Sequence, residues 1–140
     1  MGHVESDVLG AGRVGVLTGV RVVVVDDEDQ VRALFTDVLE LAGAEVHAAT
    51  SASEAMGIIQ QHAPHVVVSD VMMPTHDGYW LITAIRLMGA RRPRTLAITG
   101  DTRQHPRDAV LRAGYDAHLA KPVAIETFAT TVARLAGRQM

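Results

Sequence analysis

The sequence has no cysteine among its 140 residues. That excludes a disulfide frame, a thiolate metal site and a cysteine nucleophile, and it fits a reducing, cytoplasmic setting. Aromatic residues make up only 4% of the chain and net charge is −3, so neither stacking platforms nor a basic footprint for nucleic acid is expected. No apolar run approaches the roughly 20 residues of a membrane span. The N-terminus lacks the basic region and long apolar core of a signal peptide. Nucleic acid and membrane are therefore not expected partners.

What the sequence does have is a core. Apolar residues make up 48% of it, enough to argue against disorder in a chain of about one domain. Residues 1–19 stand apart. They hold Gly2, Gly10, Gly12, Gly15 and Gly19 with no sustained period, and read as a flexible or loosely docked extension before a domain at 20–137. From Val20 a rhythm begins. Short apolar runs occur at Val22–Val25, near Val46–Ala48, at Val66–Ser69, at Thr95–Ile98 and near Ala117–Ala120. Segments with helical spacing separate them. Val31, Leu34, Phe35, Val38 and Leu39 make one apolar face, and Ile125, Phe128, Ala129 and Val132 repeat it. Ser51 with Glu54 predicts a capping box. Gly43, Gly89, Gly114 and Gly137 stand where helices should stop.

Strands joined by helical crossovers run parallel, with right-handed connections. Runs such as Val22–Val25 are apolar at every position, as strands covered on both faces are. The expected fold is an α/β, doubly wound, five-stranded parallel sheet with helices on both sides.

In such a sheet all C-terminal strand ends lie along one edge, where ligands bind. Asp26 and Asp27 follow the first run, Asp70 the third, Thr99 the fourth and Lys121 the fifth. Three carboxylates, a hydroxyl and an ammonium should therefore converge. Clustered carboxylates repel one another and raise their own pKa values, so a cation is needed. Oxygen ligands at a partly open site suit Mg²⁺, which shares its sphere with phosphate oxygens. Such a site is poised to place a phosphoryl group on a carboxylate.

The segments "VVVVDDED", "VVVSDVMMPTHDGYWLI", "LAITG" and "AHLAKP" resemble the receiver domain of two-component response regulators, over about Arg21 to Leu135. The resemblance implies a CheY-like sheet in order 2-1-3-4-5 with five helices. It implies Asp70 as phosphoacceptor, with Thr99 and Lys121 completing the catalytic set. It implies Mg²⁺ held by Asp26, Asp27, Asp70 and the backbone carbonyl of Met72. Thr99 matches the switch hydroxyl and His118 the rotameric switch position. Pro122 follows Lys121 in an expected cis peptide that aims the lysine inward, and Gly100 leaves the acceptor open to a donor. Pro74 and Gly78 shape the loop after Asp70. Implied partners are a histidine kinase or histidine phosphotransfer protein, and a target read by the face of the fourth helix, fifth strand and fifth helix. The expected state is a monomer or weak homodimer. No catalysis beyond self-phosphorylation and autodephosphorylation is expected.

The sequence departs from the family's pattern at informative positions. His118 replaces the common Tyr or Phe, so the switch is expected to be weaker or pH-sensitive. Met72 is apolar where polar residues can position attacking water, so slow autodephosphorylation is expected; acidic Asp101 could offset it. A single helix fits after Lys121, so output is expected through protein contact. A receiver segment of a hybrid histidine kinase, relaying phosphate onward, is an alternative. A Mg²⁺-dependent phosphatase or phosphotransferase of the haloacid dehalogenase type is another, but it expects a DxD nucleophile at the first strand and a cap.

"GAGRVG" at residues 10–15 fits GxGxxG but lacks the flanking strand and helix that a dinucleotide site needs. His62 and His65 are separated by Pro64, which argues against a shared helical face for zinc. His76 and the Arg91, Arg92 and Arg94 cluster read as solvated, and Met56, Met72, Met73 and Met88 as filler.

Overall fold

The computed structural model describes residues 14–139. The GxGxxG stretch and the first part of the expected extension lie largely outside them. Within them the chain forms β1 (Arg21–Val25), α1 (Asp29–Leu41), β2 (Glu45–Ala49), α2 (Ala52–His62), β3 (Val66–Asp70), α3 (Gly78–Arg86), β4 (Arg94–Thr99), α4 (Arg107–Ala113), β5 (Ala117–Ala120) and α5 (Ile125–Leu135), with a 3₁₀ turn at Gly89–Arg91. The strands make one parallel sheet in order β2-β1-β3-β4-β5. β3 is central, and the strand order reverses at β1. That opens a crevice above the C-terminal ends of β1 and β3.

Alternation along each strand divides the core. Val22, Val24, Val66, Val68, Leu96 and Ile98 face the layer made by α1 and α5. Val23, Val25, Val67 and Ala97 face α2, α3 and α4. Both faces are covered, so both parities are apolar. Between α1 and α5, Phe35 and Phe128 stack with ring centroids 4.2 Å apart and planes 19° from parallel. Such pairs add about 0.5–1.5 kcal/mol beyond the area they bury.

Helix ends obey local chemistry. The Ser51 side chain accepts a hydrogen bond from the N–H of Glu54, and Glu54 Oε1 accepts from the N–H of Thr50. The capping box thus reaches one residue further back than the usual pattern. Asp77, within the loop after Asp70, caps α3, its Oδ1 accepting from Tyr79 N–H and Trp80 N–H at 3.0 and 2.9 Å. Arg92, expected to be solvated, instead pairs with Asp116 at 2.9 Å, and Asp116 also accepts from the N–H and hydroxyl of Thr95. This clamps the start of β4 to the approach to β5.

The packed chain also reaches back beyond the expected boundary at Val20. Leu17 is fully buried against the α1–α5 layer. Its N–H donates to Ala42 O at 2.8 Å, and Val20 N–H donates to Leu17 O. Gly43, at φ +102°, is what allows this contact: a Cβ there would stand 2.7 Å from Thr18 Oγ1 and 3.0 Å from Thr18 N. Apolar residues 16, 17 and 20 therefore close the bottom of the core. Replacing Leu17 by Ala is expected to lower unfolding free energy by about 2–5 kcal/mol, read from urea denaturation. A loss within experimental error would show that this turn is not part of the cooperative unit.

Candidate functional site

The sheet brings the expected residues together at its C-terminal edge. Asp26 continues directly from β1, Asp70 ends β3, Thr99 ends β4 and Lys121 follows β5. Asp26 and Asp70 are buried, at 1% and 4% exposure, while Asp27 is exposed. Lys121 Nζ stands 3.2 Å from Asp70 Oδ2, 3.5 Å from Asp26 Oδ2 and 3.6 Å from Glu28 Oε1. The other oxygens of the buried acids are held by backbone. Asp70 Oδ1 accepts from Met72 N–H at 3.1 Å, and Asp26 Oδ1 accepts from Glu28 N–H at 2.8 Å. The Lys121–Pro122 peptide is cis.

The electrostatics follow from burial. Desolvation pushes the Asp70 carboxyl above its ordinary pKa, against the backbone hydrogen bond and the Lys121 charge that favour the anion. Asp26 is raised for the same first reason, and the neighbouring Asp70 charge adds to it. Burial alone would lower Lys121, but the charges of Asp70 and Asp26 outweigh it and hold the ammonium above its usual range. Asp26, Asp27 and Asp70 can each aim a carboxylate oxygen into one space, with those oxygens within 4.8 Å of one another. This donor set is all-oxygen and partly open, the chemistry of a hard divalent cation. A cleft of about 240 Å³ above it is lined by Asp27, Glu28, Asp70, Met72, Gly100, Asp101 and Lys121.

Thr99 is fully buried and its hydroxyl is engaged elsewhere. It donates to Asp101 O at 3.3 Å and accepts from Asp101 N–H at 3.2 Å. One oxygen of the Asp101 carboxylate, Oδ1, is engaged too, accepting from the N–H groups of Arg103 and Gln104. Gly100 leaves open space, since a Cβ there would only touch Lys121 Cδ at 3.8 Å. His118 sits in β5 opposite Ala97 of β4. It is buried, and its Nε2 has no hydrogen-bond partner among the described residues. Burial, with help from the Arg107 charge, holds its imidazole below the ordinary value.

The loop after Asp70 is pinned by contacts that local sequence does not announce. Gly78 packs on the backbone: a Cβ would lie 2.7 Å from Val71 Cα and 2.9 Å from Asp70 O. The buried Tyr115 hydroxyl donates to Gly78 O at 2.7 Å. Met72 is exposed, and its Sδ lies 2.8 Å from His105 Nε2; His105 Nδ1 meets Tyr79 Oη at 3.0 Å. His76 stacks on Trp80 with centroids 4.1 Å apart, and so is not simply solvated. Glu28, Tyr115 and His105 belong to this neighbourhood and carried no signal in the linear sequence beyond the acidity of Glu28.

Comparison with known proteins agrees with this geometry. The family model of the response regulator receiver domain matches residues 22–133. An uncharacterized 14.6 kDa protein of Leptolyngbya boryana is 39% identical over 104 residues, covering 73% of this chain and 79% of that protein. The sensor histidine kinase RcsC of Salmonella typhimurium is 32% identical over 84% of this chain, which spans only 12% of that kinase. Among solved structures, a putative response regulator from Chloroflexus aurantiacus superposes with a TM-score of 0.78 at 31% identity, over 85% of this chain and 98% of that one.

The depressed His118 pKa has a signed consequence. An unfolded histidine takes up its proton near pH 6.5, whereas the buried one resists until lower pH. Between those values the unfolded state binds more protons, so stability falls as pH falls. His65, also lowered by burial, contributes with the same sign. The raised Asp26 and Asp70 act oppositely at lower pH, where the folded state binds protons first. His118→Phe is therefore expected to flatten the loss of urea stability between about pH 7.5 and pH 5.5. An unchanged slope would remove His118 from the titration.

Proposed function

The chain belongs to the response regulator receiver domain family, and we propose that it is a phosphoacceptor switch in which Asp70 receives a phosphoryl group from a histidine kinase or histidine phosphotransfer protein. The observation that carries this reading is the convergence of Asp70, Asp26 and Lys121 within 3.2–3.5 Å at the open end of the sheet. In the transfer, an oxygen of Asp70 forms the new bond to phosphorus as the donor's N–P bond breaks, and the donor imidazole leaves. Lys121 neutralises phosphoryl charge from the β5 side.

The carboxylates of Asp26, Asp27 and Asp70, with the Met72 carbonyl, are the residues to hold Mg²⁺, and their all-oxygen chemistry fits it. When bound, that ion supplies positive charge opposite the phosphoryl oxygens. Thr99 then has a reason to exchange Asp101 for a phosphoryl oxygen, and the space it vacates admits His118. The face of α4, β5 and α5 is the surface on which a target would read this change. An apolar groove of about 420 Å³ runs along Val31, Leu34, Phe35, Pro122 and Val123 and includes Lys121. Its continuity with the site suits it to the helix that carries a donor's histidine.

The match to RcsC favours a second reading, in which the domain relays phosphate within a larger hybrid kinase. Both readings share the chemistry at Asp70. Adjacent acids after β1, rather than DxD, argue against the phosphatase alternative.

Two outcomes test the proposal. Incubation with acetyl phosphate and Mg²⁺ should add about 80 Da, one phosphoryl group, to the intact mass. The gain should vanish in Asp70→Asn and without Mg²⁺; if Asp70→Asn still gains it, Asp70 is not the acceptor. The phosphorylated form should also persist for minutes or longer at neutral pH. Met72 offers a thioether rather than a water-positioning group, and the Asp101 carboxylate that could offset it is held through Oδ1 by its own loop. A half-life of seconds would show that water is activated by another route.

A further inference from the structure

At the opposite end of the sheet from Asp70, a second set of ligating side chains comes together. Glu45 and His47 stand two apart on β2, so both project on one face of that strand. His47 pairs across β1 with Val23, which faces the α2 layer. His62 is the last residue of α2, on that same side. The three converge: His47 Nε2 lies 2.8 Å from Glu45 Oε2, and the His47 and His62 rings stack with centroids 3.9 Å apart. One ligand atom from each residue falls within a mutual 4.8 Å. β2 is an edge strand, so the cluster opens to solvent on one side.

We propose that Glu45, His47 and His62 form a site for a divalent transition metal of the zinc type, distinct in place and chemistry from the acid cluster at Asp70. Two imidazole nitrogens and one carboxylate oxygen are a borderline donor set that prefers Zn²⁺ to Mg²⁺. The ion would take the position of the proton shared by His47 and Glu45, with a modest rotation bringing a His62 nitrogen into line. A water completes four-coordination, because the fourth side is solvent. The backbone under His62 is already anchored, since Arg21 Nε donates to His62 O at 3.0 Å and Arg21 Nη2 to Ala63 O at 2.9 Å. The same Arg21 charge acts on Glu45. It opposes a cation there, which sets the expectation at moderate rather than tight affinity.

The test is calorimetric titration of the tag-free protein with zinc chloride at neutral pH, with Mg²⁺ in excess to fill the acid cluster. One zinc ion per chain is expected. His47→Ala and His62→Ala should each weaken it at least about tenfold, while His76→Ala and Asp27→Asn leave it unchanged. In parallel, the ring resonances of His47 and His62 should shift together on zinc addition, a readout independent of the variants' folding. Absence of binding overturns the proposal. So does binding that survives unchanged in both histidine variants, or zinc whose binding is lost with Asp27→Asn. None of these outcomes bears on phosphorylation at Asp70, which is read by mass.

Discussion

The constraint on which the rest depends is the confinement of like charges at the end of a buried sheet. Asp26 and Asp70 are nearly inaccessible to water, and burial raises both carboxyls. Left to themselves they would separate or take up protons. They can do neither freely, because each is fixed to a strand and the strands are fixed to one another by the β1–β3 register. Lys121 offsets part of the charge from a third direction. With Asp27 beside them, the acids still outnumber the one ammonium. A site with a built-in deficit of positive charge is suited to a cation, which its fixed carboxylates could meet with little reorganisation.

The same sheet connects that deficit to a distant surface. Lys121 N–H donates to Thr99 O at 2.8 Å, so Lys121 and Thr99 are joined through the backbone as well as through the site. His118 lies two residues before Ala120, which pairs with Thr99. In the form described, Thr99 is turned to the Asp101 loop and His118 is buried with an unsatisfied nitrogen. Neither arrangement is a deep minimum. A buried polar atom without a partner is costly, and a hydroxyl held by a 3.3 Å bond is easily redirected. These are the properties expected of an element that two states share.

Much of this was legible in the residues. β-Branched runs marked β1 and β3, an i, i+3, i+4 stripe marked α1, and acids at strand ends marked the crevice. These signals are local, and local patterns survive folding. What escaped was tertiary. Leu17 sits among glycines and looks like linker, yet it packs because Gly43 lets a turn approach. Arg92 looks solvated until Asp116, 24 residues away, arrives beside it. His47 and His62 carry no motif spacing, and only the return of α2 over the edge strand stacks them. His105 reaches Met72 across a separation of 33 residues. Partners set by topology rather than by period cannot be read before the topology is known.

The two ends of the sheet then differ for a physical reason. At the N-terminal edge, side chains hold the backbone and one another: Arg21 bonds the carbonyls ending α2, and Arg92 pairs with Asp116. The Arg92–Asp116 pair neutralises charge in place, and both contacts tie strands to their neighbours, which makes that edge a foundation. At the C-terminal edge the acids are only partly compensated, and the hydroxyl and imidazole that could respond are loosely committed. A sheet can keep one edge unsatisfied only if the rest is rigid, since otherwise the repulsion at Asp26 and Asp70 would relax by moving strands rather than by recruiting a ligand. The clamps below and the two apolar layers are therefore as much a part of the site as the carboxylates it displays.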